Sequence, residues 1–182
     1  MDCEIVFLPC EKWQDYPIEF RYETSCRYEP EIYHHEDGFG AVFTKKAYSS
    51  PQVKEFIDKL YNPLWQGSKA YGIFSETDSE KLIACIELWK NKSTNFMWLN
   101  ELWVAEEYRR CGLGKKLLDF AKQTAKEEGC RVLQLETHSN NENAVAFYRS
   151  QGLTFFGFEK ALYTNRDKEE HKVCIELGMF IR

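Results

Sequence analysis

Between residues 96 and 128 the chain carries a succession that few architectures satisfy: a run of β-formers, a turn holding two glycines, and an amphipathic helix. Phe96-Met97-Trp98-Leu99-Asn100-Glu101-Leu102-Trp103-Val104 is apolar on both faces except at Asn100 and Glu101, the signature of a strand covered on both sides and therefore central in its sheet. Arg109-Arg110-Cys111-Gly112-Leu113-Gly114-Lys115-Lys116 follows, with two glycines among four cations. Leu113, Leu117, Phe120 and Ala121 then recur at helical spacing as far as Glu127, and Gly129 is a natural C-terminal cap. Without side chains at Gly112 and Gly114 a ligand can lie against the backbone, and the unpaired N–H groups of the first helical turn point at it. A strand, turn and helix of this kind suit a phosphate.

What the turn lacks narrows the ligand. A dinucleotide fingerprint from Gly112 needs glycine where Leu117 stands, and a P-loop ending at Gly114-Lys115 needs glycine at Arg109 and Ser or Thr at Lys116. Arg109-x-x-Gly112-x-Gly114 remains. A second motif, Asn141-x-x-Ala144-x-x-Phe147-Tyr148-x-x-x-Gly152-Leu153, follows the strand expected over Arg131 to Thr137. The two motifs, in this order and on these elements, resemble the GNAT superfamily of acetyl-CoA-dependent N-acetyltransferases, over about residues 68–182. Over 131–165, with Leu135-Glu136-Thr137-His138-Ser139-Asn140-Asn141 and Ala161-Leu162-Tyr163-Thr164-Asn165, the chain is similar to the streptothricin acetyltransferase branch. It departs from the superfamily at Leu153, usually Phe, and at Arg110-Cys111, usually Arg-Gly.

The resemblance implies an α/β (α+β) GNAT fold: a twisted, mixed, mostly antiparallel sheet of about seven strands flanked by about four helices. Its central strands would diverge to form an acetyl-CoA cleft. It implies that Leu102, Trp103, Val104, Arg109, Arg110, Cys111, Gly112, Leu113, Gly114 and Lys115 bind the cofactor's pyrophosphate end and thioester carbonyl. Asn141, Ala144 and Tyr148 would line its arm, and Tyr148 would protonate the departing thiol. A phenol with pKa about 10 stays protonated at neutral pH and can donate; packing in a core is the other reading of Tyr148. The base that receives the amine's proton is open among Glu101, Glu87, Glu136, His138 and water. In a strand of period two, Glu101 shares a face with Leu99 and Trp103. Cys111 is not needed as a nucleophile, because a thioester can be attacked directly. The acceptor implied is a primary amine on a small cationic molecule, with streptothricin first and a polyamine, an aminoglycoside or a protein lysine behind it. A non-catalytic acyl-CoA-binding module is the reading from another class.

Composition sets the outer bounds. The 182 residues fit one domain, 1–67 on the acceptor side and 68–182 forming the acetyl-CoA-binding core. A net charge of -5 opposes a nucleic-acid partner. Seven cysteines without a C-x-x-C pair favour neither zinc nor a disulfide framework, so no metal is expected. The start Met1-Asp2-Cys3-Glu4 has no basic leader and no segment reaches membrane-spanning length, which reads as a cytoplasmic protein without a membrane partner. Monomer and homodimer are both open.

Elsewhere, Ile18 to Tyr22 and Phe39 to Tyr48 read as strands, with loops at Glu29-Pro30-Glu31 and His34 to Gly38. The paired His34 and His35 read as exposed rather than as metal ligands. Pro51 with Val53, Phe56, Ile57 and Leu60 predicts a helix. Ala70 to Phe74 and Leu82 to Trp89 predict a hairpin, and Thr154 to Tyr163 and Lys172 to Phe180 predict the last strands.

Overall fold

A computed structural model describes residues 4–181; Met1, Asp2 and Cys3, part of the expectations above, lie outside the described residues. The elements run β1 (Val6–Leu8), α1 (Cys10–Trp13), β2 (Pro17–His35), β3 (Gly38–Lys59), β4 (Lys69–Phe74), β5 (Leu82–Asn91) and β6 (Phe96–Val104). A 3-10 turn (Glu106–Tyr108), α2 (Leu113–Glu127), β7 (Val132–His138), α3 (Glu142–Ser150), β8 (Thr154–Glu159) and β9 (Cys174–Phe180) complete the chain. Seven strands form a sheet in the order β1-β4-β5-β6-β7-β9-β8, and β2 pairs with β3 as a separate ribbon. The seven-stranded sheet is mixed and mostly antiparallel, as expected. β1, β4, β5 and β6 pair antiparallel and β6 with β7 parallel.

The expected helix over Pro51 to Leu60 is absent: Pro51 and Val53 to Ile57 lie inside the 22-residue strand β3. Pairing with β2 overrides the helical spacing of four apolar residues, and in a two-stranded ribbon every strand is an edge, where proline is tolerated. The same pairing absorbs the loop expected at Glu29-Pro30-Glu31 into β2. α1, a single turn, was not anticipated, and β8 ends at Glu159, short of Tyr163.

The chain divides into two compact units. The first comprises the described residues up to Phe20, Glu55–Leu135 and the end from Gly178. One face of its strands buries Leu8, Trp13, Ile18, Leu60, Tyr61, Ala70, Leu82 and Cys85, with Phe20, Phe74 and Trp103 packed on them. The opposite face receives α2 through Leu117, Leu118, Ala121 and Ala125, all 0% exposed, and through Phe120 against Tyr71, ring centroids 4.7 Å apart. Each leucine so buried contributes roughly 1.5–3 kcal/mol, which holds α2 fixed behind the turn that precedes it.

The second unit comprises Arg21–Lys54 and Glu136–Leu177. α3 buries Val145 and Tyr148, and Phe43 packs edge-on against Phe158 at 5.1 Å. The charged loop at 160–172 is ordered by Asp167, 3% exposed, whose carboxylate accepts from the Tyr163 and Thr164 N–H groups, each at 2.8 Å.

Candidate functional site

In the first unit, β6 and β7 share a ladder only from Phe96↔Val132 to Leu99↔Leu135, while β6 continues to Val104. The Ala105 N–H donates to the Ile83 carbonyl at 2.9 Å. Antiparallel pairs alternate between bonded and non-bonded, so Trp103, opposite Cys85, turns its amide toward β5, whereas Leu102 and Val104 turn theirs to the other edge. Among the described residues, the β7 ladder does not reach that edge. Two of the three expected backbone donors therefore face outward.

The turn beyond is built by two left-handed residues, Arg110 at φ 60° and Gly112 at φ 88°. Gly112 is the N-cap of α2 with no side-chain cap, and Lys116 N–H donates to its carbonyl at 3.0 Å. The first turn of α2 contains no acidic residue. Its N–H groups and dipole are thus uncontested by a carboxylate of that turn. Arg109 is turned back, donating from Nε to the Val104 carbonyl at 3.1 Å, which clasps the turn to the end of β6. Lys115 pairs with Asp119 one helical turn on, Leu113 is buried, and Cys111 is an exposed thiol. Gly114 lies in the first turn of α2.

Glu101 shares its face with Trp103, as expected, but not with Leu99. β5 pairs Glu87 with Glu101 and Leu88 with Leu99, so Asn100 is an extra residue, a β-bulge. The insertion reverses the alternation: Glu101 and Trp103 share the face of Glu87 and Cys85, opposite Leu99. Tyr71 pairs with Ile86 and touches α2 through Phe120, which identifies the other face as the helix side. Glu101 is therefore turned away from α2, onto the face where Trp103 Nε1 donates to the Glu19 carbonyl at 2.8 Å. Two adjacent polar residues in an otherwise apolar strand were the available sign of the bulge. Glu87 is 1% exposed, and its two oxygens accept from Tyr61 N–H at 2.9 Å and Asn100 Nδ2 at 3.3 Å.

In the second unit, Asn141 caps α3, its Oδ1 accepting from Ala144 N–H at 3.1 Å, and Tyr148 is 8% exposed. Glu142, unforeseen from sequence, accepts from Ser25 N–H and Oγ at 3.0 and 2.8 Å, with Lys45 Nζ at 2.8 Å. The Cys26 thiol and Lys45 ammonium hold its carboxyl down to about 2. His138 is no solvated loop histidine: it ends β7 with its ring 4.5 Å from that of Tyr163. Burial, then the Lys172 charge, lowers its pKa to about 3. Such an imidazole is neutral at pH 7 but binds a proton weakly, a poor base for an ammonium ion. Glu136, also in this unit, accepts from the Cys174 thiol at 3.7 Å. Among the described residues no three His, Cys, Asp or Glu side chains gather as a metal site would need, and no helix is long and apolar enough to cross a membrane.

Residues 12–153 match the acetyltransferase (GNAT) family. Streptothricin acetyltransferase A of Bacillus subtilis (strain 168) is 26% identical over 127 residues, 68% of this chain and 71% of that protein. The spermine/spermidine N(1)-acetyltransferase of the same strain is 30% identical over 92 residues, 50% of this chain and 53% of that one. Another curated relative, an uncharacterised N-acetyltransferase of Lactobacillus delbrueckii subsp. lactis, is matched over 36% of its length. Among solved structures, nourseothricin acetyltransferase superposes with a TM-score of 0.78 at 19% identity, covering 100% of both chains. A Bacillus anthracis str. Ames protein, provisionally named a streptothricin acetyltransferase and solved with acetyl coenzyme A, gives 0.73 at 22% identity, again over 100% of both.

Proposed function

The chain belongs to the acetyltransferase (GNAT) family and is an acetyl-CoA-dependent N-acetyltransferase, and from that premise we propose that its acceptor is a primary amine on a small cationic molecule of the streptothricin kind. The observation that carries the proposal is the face of Glu101. The bulge at Asn100 sets this carboxylate beside Trp103, on the side of the sheet covered by the N-terminal segments. A carboxylate and an indole on one face suit a cation. The relatives named for streptothricin and nourseothricin support the same choice.

In this reading the turn from Arg109 to Lys115 holds the pyrophosphate of acetyl-CoA. Asn141, Ala144 and Tyr148 serve its arm and sulfur. The amine nitrogen attacks the thioester carbonyl carbon, and the outward N–H groups of Leu102 and Val104 receive the developing oxyanion. The C–S bond breaks and the sulfur takes a proton from Tyr148, while Glu101 takes the proton that the nitrogen sheds. The products are an amide and free CoA. Holding both reactants in place supplies much of the acceleration. The proposal places the protein in the cytoplasm, where acetyl-CoA is made, and gives acceptor recognition to residues 1–67.

Likeness to a spermine/spermidine acetyltransferase over half of the chain supports a second reading, a polyamine acceptor. CoA thiol release measured in parallel with streptothricin, spermidine and a lysine peptide separates them. The first reading expects release with streptothricin. Release with spermidine alone overturns it in favour of the polyamine, and tight CoA binding without release under any amine favours a binding module.

A further inference from the structure

Glu87 sits where the sheet should least tolerate a carboxylate. It is 1% exposed and lies on β5 directly across from Glu101. One oxygen accepts from the backbone N–H of Tyr61 at 2.9 Å, the other from Asn100 Nδ2 at 3.3 Å. Both ends of this bridge are irregular. Tyr61 is a non-glycine residue at φ 58°, and its hydroxyl donates to the Leu8 carbonyl while accepting from Ala70 N–H at 3.0 Å. Asn100 is the inserted residue of the bulge, and its Oδ1 is buried without a partner among the described residues. Turning the amide over would not relieve that atom, because Oδ1 would then face the Glu87 carboxylate. The orphaned oxygen is the cost of tying Nδ2 to Glu87, and such costs persist where the surrounding structure needs the conformation.

We infer that Glu87 is a positioning residue: through Asn100 it pins the bulge that turns Glu101 onto the acceptor face, and through Tyr61 it joins that bulge to the N-terminal segment. The inference rests on the acetyl-transfer reading of Glu101. Glu87 is 1% exposed and each of its oxygens is tied within the sheet, so the inference gives it a positioning role and no proton exchange with the acceptor. The requirement at position 87 is therefore for hydrogen bonding and not for charge. Glutamine can meet it: its carbonyl accepts from Tyr61 N–H, and its amide donates to Asn100 Oδ1 after the Asn100 amide turns over, which keeps both ends of the bridge and moves the unpaired atom of Asn100 from Oδ1 to Nδ2.

The test is steady-state acetylation of streptothricin by wild type, Glu87→Gln, Glu87→Ala, Asn100→Ala and the Glu87→Ala/Asn100→Ala pair, with active sites counted by acetyl-CoA binding. Glu87→Ala and Asn100→Ala should each lower kcat about tenfold per active site, with acetyl-CoA KM within about twofold. The double variant should be no worse than either single, because both cut the same tether. Glu87→Gln should stay within about threefold of wild type. Additive single effects, a Glu87→Gln as impaired as Glu87→Ala, or unchanged kcat per active site in both alanine variants would each overturn the inference while leaving acetyl transfer intact. If Glu87→Ala does not fold, Glu87→Gln and Asn100→Ala still decide it through kcat. A wild type that acetylates no amine overturns the reading beneath it instead.

Discussion

Two helices begin at candidate site residues, and they begin in opposite ways. α2 starts from Gly112 in the left-handed region, with no side-chain cap and no acidic residue in its first turn. α3 starts from Asn141, whose own Oδ1 takes the Ala144 N–H, and its first residue, Glu142, is tied to Ser25, Cys26 and Lys45. The first helix leaves its positive end without a side-chain cap, while the second uses side chains to close its own. A motif residue at a helix start can thus be a binding group or a structural one, and the cap decides which. In α3 the side-chain oxygen of Asn141 already accepts a hydrogen bond from the helix. In the acetyl-transfer reading proposed above, the chemistry assigned to α3 falls on Tyr148, two turns along.

That contrast can be broken in four places. The largest effect belongs to Tyr148: replacing it with Phe should lower turnover about 100-fold, the loss of a general acid, with acetyl-CoA affinity retained by calorimetry. An unchanged turnover would leave α3 a purely structural helix. Gly112→Asp comes next. It sets a carboxylate at the open end of α2 and should raise the acetyl-CoA KM about tenfold, a change near 1.4 kcal/mol. Affinity unchanged by that charge would place the pyrophosphate elsewhere. Asn141→Ala removes a cap worth about 1 kcal/mol, so calorimetry should find the melting temperature lower by roughly 2–4 °C for a chain of this size. A melting point unmoved would mean that the cap seen here contributes nothing.

The smallest effect concerns pH. Glu142 titrates near 2 in the folded protein against an ordinary 4.5. A carboxyl held down in this way lends stability that is complete above the ordinary value and lost as pH falls through the folded one. Glu142→Gln should therefore melt below wild type at pH 7, with the gap closing between pH 4.5 and 2. A gap that persists at low pH would assign the tie to packing instead of charge.

Legibility from sequence followed the range of the interactions. β6, α2, β7 and α3 were readable because their apolar spacing is local, and so was Gly129 just beyond the end of α2. Arg110 was not: nothing in an arginine announces a φ of 60°, which the turn imposes from both sides. β2 and β3 were read only in pieces, since Val53, Phe56, Ile57 and Leu60 suit a helix locally and the pairing that overrides it comes from residues far back in the chain. Glu101 was found as a residue, with Trp103 rightly and Leu99 wrongly placed on its face. Period-two reasoning fails at an inserted residue, and only the register of β5 against β6 reveals one. The ties of Glu142 to Cys26 and Lys45 span 116 and 97 residues and left no trace in either motif.

The bulge at Asn100 also determines which kind of genetic change this chain can survive. A substitution there alters one side chain. Drawing Asn100 into a regular ladder with the strand's length kept would make every side chain from Glu101 to Val104 exchange faces, carrying Leu102 and Val104 to the proposed acceptor side and Glu101 and Trp103 under the helix, whereas deleting it would leave Leu99 and Glu101 on opposite faces as they are now. Descent with variation in acceptor can therefore proceed by substitution along this strand, but not by a one-residue slip of β6 against β5 between Glu101 and Val104.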